Sequence, residues 1–174
     1  MQRVMCLVLL VLSAACTSGG EPPPSTQPPV VVVPDPPAGP HLRVTAVRQG
    51  ADVDVTVRAY GVGDVFGVSY HLTFDPLVLQ AGAGPGTQPA FLDGAGGAHH
   101  VLALRAGDIA AGGVRTSVAQ GNVALTEGQQ LLQTRLRAVA AGITTLRVER
   151  VVVKRANGVM VAVVGTSFPL EVAP

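Results

Sequence analysis

The chain has no tryptophan, two tyrosines and four phenylalanines in 174 residues, so its core must be built mainly from Val, Leu and Ala. The same scarcity argues against a flat aromatic platform of the kind that stacks on sugars. Charge is also sparse: 13% of residues are Asp, Glu, Lys or Arg, and twelve cations balance eleven anions. With no basic block, nucleic acid is not an expected partner. Apolar residues nevertheless make up 48% of the chain, too many for wholesale disorder. There are two cysteines, Cys6 and Cys16, both near the start. A disulfide framework inside a folded domain is therefore excluded, and stability must come from burial.

What is present begins with MQRVMCLVLLVLSAAC. Arg3 gives a positive start, Val4–Leu12 is an apolar run, and Ser13, Ala14 and Ala15 are small. The run is too short for an ordinary membrane-spanning helix and has the anatomy of a secretory signal. Ser13-Ala14-Ala15-Cys16 resembles the lipobox of bacterial lipoproteins, with Leu12 one position further from the cysteine than that pattern prefers. Residues 1–16 are accordingly expected to be a lipoprotein signal peptide, with Cys16 as the lipidation site. Ser18, rather than Asp, in the second position after Cys16 points to the outer membrane or cell surface. The expected protein is exported and membrane-anchored.

Residues 17–40 follow, with nine prolines between Glu21 and Pro40. Proline lacks a backbone donor and fixes φ, so the segment reads as a disordered, semi-extended tether. At ~3.1 Å per residue it would reach roughly 60–70 Å. The prolines also argue against a strand at Val30–Val33.

From residue 41 to 174 the pattern is that of strands. Val53, Val55 and Val57 alternate with Asp52, Asp54, Thr56 and Arg58. Phe66, Val68, Tyr70, Leu72 and Phe74 form one face of a strand, and Gly67, Ser69, His71 and Thr73 form the other. Leu132, Thr134, Leu136 and Ala138 oppose Leu131, Gln133, Arg135 and Arg137, and Leu146 and Val148 alternate with polar residues. Further strands are predicted near 42–48, 98–105, 113–120, 150–154, 159–164 and 167–172. Breakers at Gln49-Gly50, Gly61–Asp64, Gly82–Gly86, Asp93–Gly97, Gly112-Gly113, Gly121-Asn122, Glu127-Gly128 and Asn157-Gly158 separate them. Asn157-Gly158 predicts a hairpin with a type I′ turn. Eight to ten short strands with such punctuation predict an all-β, antiparallel sandwich.

The strand Phe66–Phe74 runs into Asp75-Pro76-Leu77-Val78-Leu79. Pro76 should stop the strand, Asp75 should accept backbone N–H bonds, and Leu77 and Leu79 should return to the core. This strand and its Asp-Pro-x-x-Leu corner resemble the cohesin domain family. So do Gly113–Ala119, Thr126–Leu132, Gly142–Leu146 and Asn157-Gly158, in that order. The resemblance spans roughly residues 42–172. It implies a jelly-roll sandwich of about nine strands that binds a partner protein and catalyses nothing. It also implies docking through the outward residues Gly67, Ser69, His71 and Thr73, with Arg115 and Ser117 on the same face. The best-known partners of the family are dockerins on polysaccharide-degrading enzymes. Dockerin-binding members often carry Asn or Asp where this chain has Gly67 and Ser69. A carbohydrate-binding surface module and a passive structural domain of the envelope are the alternative expectations.

No catalytic, metal or cofactor site is expected. His99 and His100 are adjacent and should point to opposite faces of a strand, Asp93 and Asp108 being the nearest acids in sequence. Gly82–Gly86 precedes no helix that could bind phosphate, and no serine nucleophile motif occurs. Replacing Cys16 with Ser is expected to abolish partition into the detergent phase and to leave the protein released or unprocessed. Unchanged membrane association of Cys16→Ser would remove the case for acylation.

Overall fold

The structure is a computed structural model that describes residues 30–93 and 97–174. The predicted signal, Cys16 and the first part of the tether lie outside the described residues. The strands in chain order are β1 (Val30–Val32), β2 (His41–Gln49), β3 (Asp52–Tyr60), β4 (Asp64–Val65), β5 (Gly67–Thr73), β6 (Leu79–Ala81) and β7 (Ala98–Arg105). They continue with β8 (Asp108–Arg115), β9 (Val123–Ala124), β10 (Gln129–Ala138), β11 (Gly142–Lys154), β12 (Met160–Val161), β13 (Val164–Gly165) and β14 (Ser167–Val172). One sheet has the order β1-β2-β3-β10-β6, with β13 also on β2. The second has the order β12-β11-β5-β8-β7, with β14 also on β11. A short clip, β4 with β9, stands apart. Pairing is antiparallel except between β13 and β2. The all-β jelly-roll sandwich stands, and nine of the segments (β2, β3, β5, β6, β7, β8, β10, β11 and β14) account for its two layers.

The alternation in the sequence becomes the core. Val53, Val55 and Val57 from one sheet and Val68, Tyr70, Leu72, Leu146 and Val148 from the other are all at most 3% exposed. Residues 129–138, with three leucines, three glutamines and two arginines, form a strand because both sides of the segment find partners, β3 and β6. A bulge between Gln130 and Leu132 buries both Leu131 and Leu132, where strict alternation would have turned one outward.

Thr166 stitches the two sheets through its backbone and its hydroxyl. Thr166 N donates to Leu42 O at 2.9 Å, and its Oγ1 accepts from Val44 N at 2.9 Å, both on β2. Its carbonyl accepts from Val148 N at 2.9 Å, on β11 of the other sheet. Gly165 makes the approach possible, since a Cβ there would lie 1.9 Å from Val148 O.

Several expectations need correction. Val30–Val32 do form a strand, paired with Ala46–Arg48, and the Arg43 guanidinium donates to the Pro34 carbonyl, so the end of the tether is laid on the domain. The prolines flank this pairing without entering its three-residue ladder. The strand expected at 113–120 is instead 108–115, followed by a single 3-10 turn, Val118–Gln120. Gly112-Gly113 is not a breaker. A Cβ on Gly112 would meet Val68 O at 2.7 Å, and one on Gly113 would meet Leu92 Cδ1 at 2.9 Å, so these glycines permit close packing inside a strand. The strands expected at 145–149 and 150–154 are one, β11, bent by a bulge at Arg150, whose φ is +52°. The predicted strand 159–164 reduces to the two short pieces β12 and β13.

At Asn157-Gly158 only the glycine has positive φ (+81°), so the turn is not type I′. Gly158 N donates to Arg155 O and Arg155 N to Val159 O, which makes a three-residue loop with the glycine at its bulge. At the corner, Asp75 Oδ1 accepts from Leu77 N at 2.9 Å, as an Asx turn requires. Leu79 returns to the core at 0% exposure, but Leu77 stays out at 78%.

Leu72→Ala is expected to cost ~2–5 kcal/mol, the cavity value for a fully buried leucine. Thr166→Val should cost ~1–3 kcal/mol, because Val44 N would be left buried without its acceptor. Urea unfolding checks both. A Thr166→Val chain as stable as the wild type would show that the hydroxyl bond of the stitch adds nothing.

Candidate docking face

Strand β5 is bonded on both sides, so its outward residues lie mid-sheet rather than at an edge. Register then sets four rows across β11, β5, β8 and β7. The first is Lys154–Gly67–Val114–His99, and the second is Val152–Ser69–Gly112–Val101. The third is Glu149–His71–Ala110–Ala103, and the fourth is Arg147–Thr73–Asp108–Arg105. Gly67, Ser69, His71 and Thr73 thus share one outward face. Gly67 is covered by its neighbours, and a Cβ there would meet Val114 Cγ2 at 3.2 Å.

The face has two halves. The first two rows are small or aliphatic between Lys154 and His99 at the ends of the first, and form the centre of a groove of about 600 Å³, whose lining includes Ser69, Val101, Gly112, Val114 and Val152. Val101 is 59% exposed, Val114 42% and Val152 37%. The last two rows carry Glu149, His71, Arg147, Thr73, Asp108 and Arg105 beside Ala110 and Ala103. His71 Nδ1 lies 2.9 and 3.0 Å from the two Asp108 oxygens. A carboxylate only accepts, so the ring proton sits on Nδ1 and the imidazole is held in one orientation.

The outward face of the other sheet is different. Arg43, Arg58, Arg135 and Arg137 alternate there with Asp52, Asp54, Thr45 and Thr56. Arg135 grips Asp54 through two bonds of 2.7 and 3.0 Å, and that carboxylate raises the guanidinium pKa. Covering such a face would mean desolvating charges, whereas covering the first two rows of the groove removes mainly apolar surface from water.

Two residues assigned to the docking face are not on it. Arg115 has the opposite parity on β8 and turns inward, 7% exposed, where its Nη1 donates to Asn122 O at 3.4 Å. Its backbone N donates to Phe66 O, which puts it in the ladder beside β5 but on the other face. Ser117 lies past the end of β8 and caps the 3-10 turn, its hydroxyl accepting from Ala119 N and its N–H donating to Gln120 Oε1. For Ser117 the error followed from reading the strand five residues too late; for Arg115 it was one of parity against β5.

Conversely, Val101, Val114, Val152 and Gly112 line the groove and were not singled out in the sequence. Val152 belongs there because the bulge at Arg150 resets the parity of β11, which no local pattern reveals. Val101 lies in the continuous apolar run Val101–Leu104, whose two faces the sequence does not tell apart.

The two histidines separate as expected. His99 lines the groove, while His100 Nε2 lies 2.8 Å from Asp93 Oδ1 and its ring meets Phe91 edge-on. Tyr60 stacks on His41 with ring centroids 5.2 Å apart. Tyr60 and Phe91 are therefore each engaged by a histidine.

This architecture has been seen before. The sixth cohesin of scaffoldin B from Acetivibrio cellulolyticus, solved in complex with a dockerin mutant, matches with a TM-score of 0.59 and 14% identity. The match covers 78% of this chain and 99% of that one. A type II cohesin domain from the cellulosome of the same organism matches at 0.56 and 13%, over 77% and 95%. The cohesin module of a family 33 glycoside hydrolase from Clostridium perfringens matches at 0.54 and 7%, over 83% and 96%. The chain has the cohesin fold. No protein-family model matches the sequence, and no curated protein matches it. At these identities the similarity to cohesins is one of fold.

Beneath the cohesin-like sheet, Tyr70 is 1% exposed and its hydroxyl has no hydrogen-bond partner among the described residues. Burial pushes its phenol above the ordinary value of 10.0. The folded chain therefore holds this proton where the unfolded chain releases it, and stability falls as pH rises past about 10. Tyr70→Phe is expected to be no less stable at pH 8 and to lose less stability between pH 9 and 11. An identical alkaline loss in wild type and variant would exclude Tyr70 as its source.

Proposed function

We propose that the chain is a non-catalytic recognition module that docks a partner protein on the outward face of β11, β5, β8 and β7. The observation that carries this reading is the exposed groove of small and aliphatic residues around Ser69 and Gly112, on a fold shared with modules solved in dockerin complexes. The centre of such a surface costs little to desolvate and offers shape, with Lys154 and His99 at its margin. Its partner is a dockerin-like module or another envelope or secreted protein, which would link the chain to polysaccharide degradation. Gly67 and Ser69 present no carboxylate or amide, which favours a partner other than a calcium-loaded dockerin. The lipobox-like Ser13–Cys16 and the proline-rich tether support display from a membrane, at the outer membrane or cell surface.

The test pairs Ser69→Arg with Thr73→Glu, both outward positions away from the core. A partner that wild-type chain captures from the secreted proteins of the producing cell is expected to bind this folded double variant at least tenfold more weakly. Equal capture would move the docking site to the loops at Gly61–Asp64 and Gly82–Asp93.

A further inference from the structure

The two sheets have several edges, and all but one are blunted. Strands β6, β12 and β13 have two or three residues, β1 has three and is followed by Pro34, and β14 carries Pro169. Strand β7 is the exception among the described residues. It pairs with β8 over eight residues without a register shift, and it contains no proline, lysine or bulge to protect its other side.

The ladder shows which groups that side offers. Arg115 N donates to Phe66 O and Phe74 N to Gly107 O, so the odd-numbered residues of β8 bond toward β5. Antiparallel alternation then turns its even-numbered residues toward Val101, Ala103 and Arg105 of β7. The N–H and C=O groups of His100, Leu102 and Leu104 consequently point away from the sheet. No hydrogen bond among the described residues reaches them.

The side chains along this edge state what would suit it. On the outward face Val101 and Ala103 leave apolar surface uncovered, and Leu104, on the opposite side, is 42% exposed. Arg105 closes the strand without an ion pair among the described residues, and β7 contains no carboxylate. A second copy of β7 would therefore bring no anion to Arg105.

We infer that the free edge of β7 accepts an extended segment of a partner protein as one more antiparallel strand. This segment alternates aliphatic and polar residues and carries an Asp or Glu at its N-terminal end, beside Arg105. Its backbone bonds to His100, Leu102 and Leu104, while its aliphatic residues cover Val101. This deepens the recognition reading and rests on it: the added strand would extend the groove's second row by one position.

The experiment selects binders of the full chain from phage-displayed random twelve-residue peptides and follows amide exchange by NMR with a synthetic copy of the enriched peptide. Enrichment of alternating, acid-started sequences is expected, and the amides of His100, Leu102 and Leu104 should slow at least tenfold on binding. Those of Val101 and Ala103, already bonded to β8, should change little. Leu104→Pro removes one free donor without breaking a bond to β8, and should weaken the peptide at least tenfold, whereas Leu104→Val should not. Should Leu104→Pro fail to fold, the wild-type exchange pattern decides alone.

No enrichment, or protection elsewhere, would overturn the proposal. So would protection of the same amides in peptide-free chain of dimeric mass, since a second copy would then hold the edge. If Ser69→Arg with Thr73→Glu abolishes partner capture while Leu104→Pro leaves it intact, the edge proposal falls and the recognition module stands. If neither affects capture, the edge proposal and the assignment of docking to this face both fall.

Discussion

Two sheets packed face to face are held mainly by non-directional burial, and such a pair could slide unless something fixes one against the other. Here Thr166 supplies that constraint. It bonds to β2 through its N–H and hydroxyl and to β11 through its carbonyl, at a point where Gly165 lets the backbones nearly touch. Because β11 is zipped to β5, and β5 to β8, fixing β11 against β2 also fixes the outward rows of the groove. A residue buried between the sheets thus sets the position of a surface on the far side of one of them.

The layers themselves were readable because a half-buried strand writes its pleat into its sequence. Val53, Val55 and Val57, and Tyr70, Leu72 and Phe74, could serve only one way once a core of aliphatic residues had to exist without disulfides. The corner at Asp75-Pro76 was equally legible, since its chemistry is local. What alternation could not report was any change of parity. The bulges at Gln130–Leu132 and Arg150 each add a residue that no hydropathy pattern distinguishes from its neighbours. They decide that Leu131 is buried and that Val152 faces out.

Glycine misled for a related reason. Gly112-Gly113 has the composition of a turn, but its role is to clear space for Val68, Ser69, Leu92 and His100, none of which is near in sequence. Displacing the strand to 113–120 placed Ser117 on a strand it does not join, and Arg115 was given the wrong parity against β5. Half of the candidate site was therefore legible: the β5 positions, whose own pattern is unbroken. The half contributed by β7, β8 and β11 depends on register between strands, which is a property of pairing and not of any one segment.

The seating of β1 on β2 has a mechanical meaning. A pull on the N-terminal side meets the three paired positions Val30–Val32 before it meets any other strand of the sandwich. These bonds, together with the contact of Arg43 with Pro34, act as a fuse. When they yield, residues 30–40 pay out as slack of up to roughly 35 Å at the extended length of a chain. The stitch at Thr166 and the groove on the opposite sheet would feel the load only after that slack is spent.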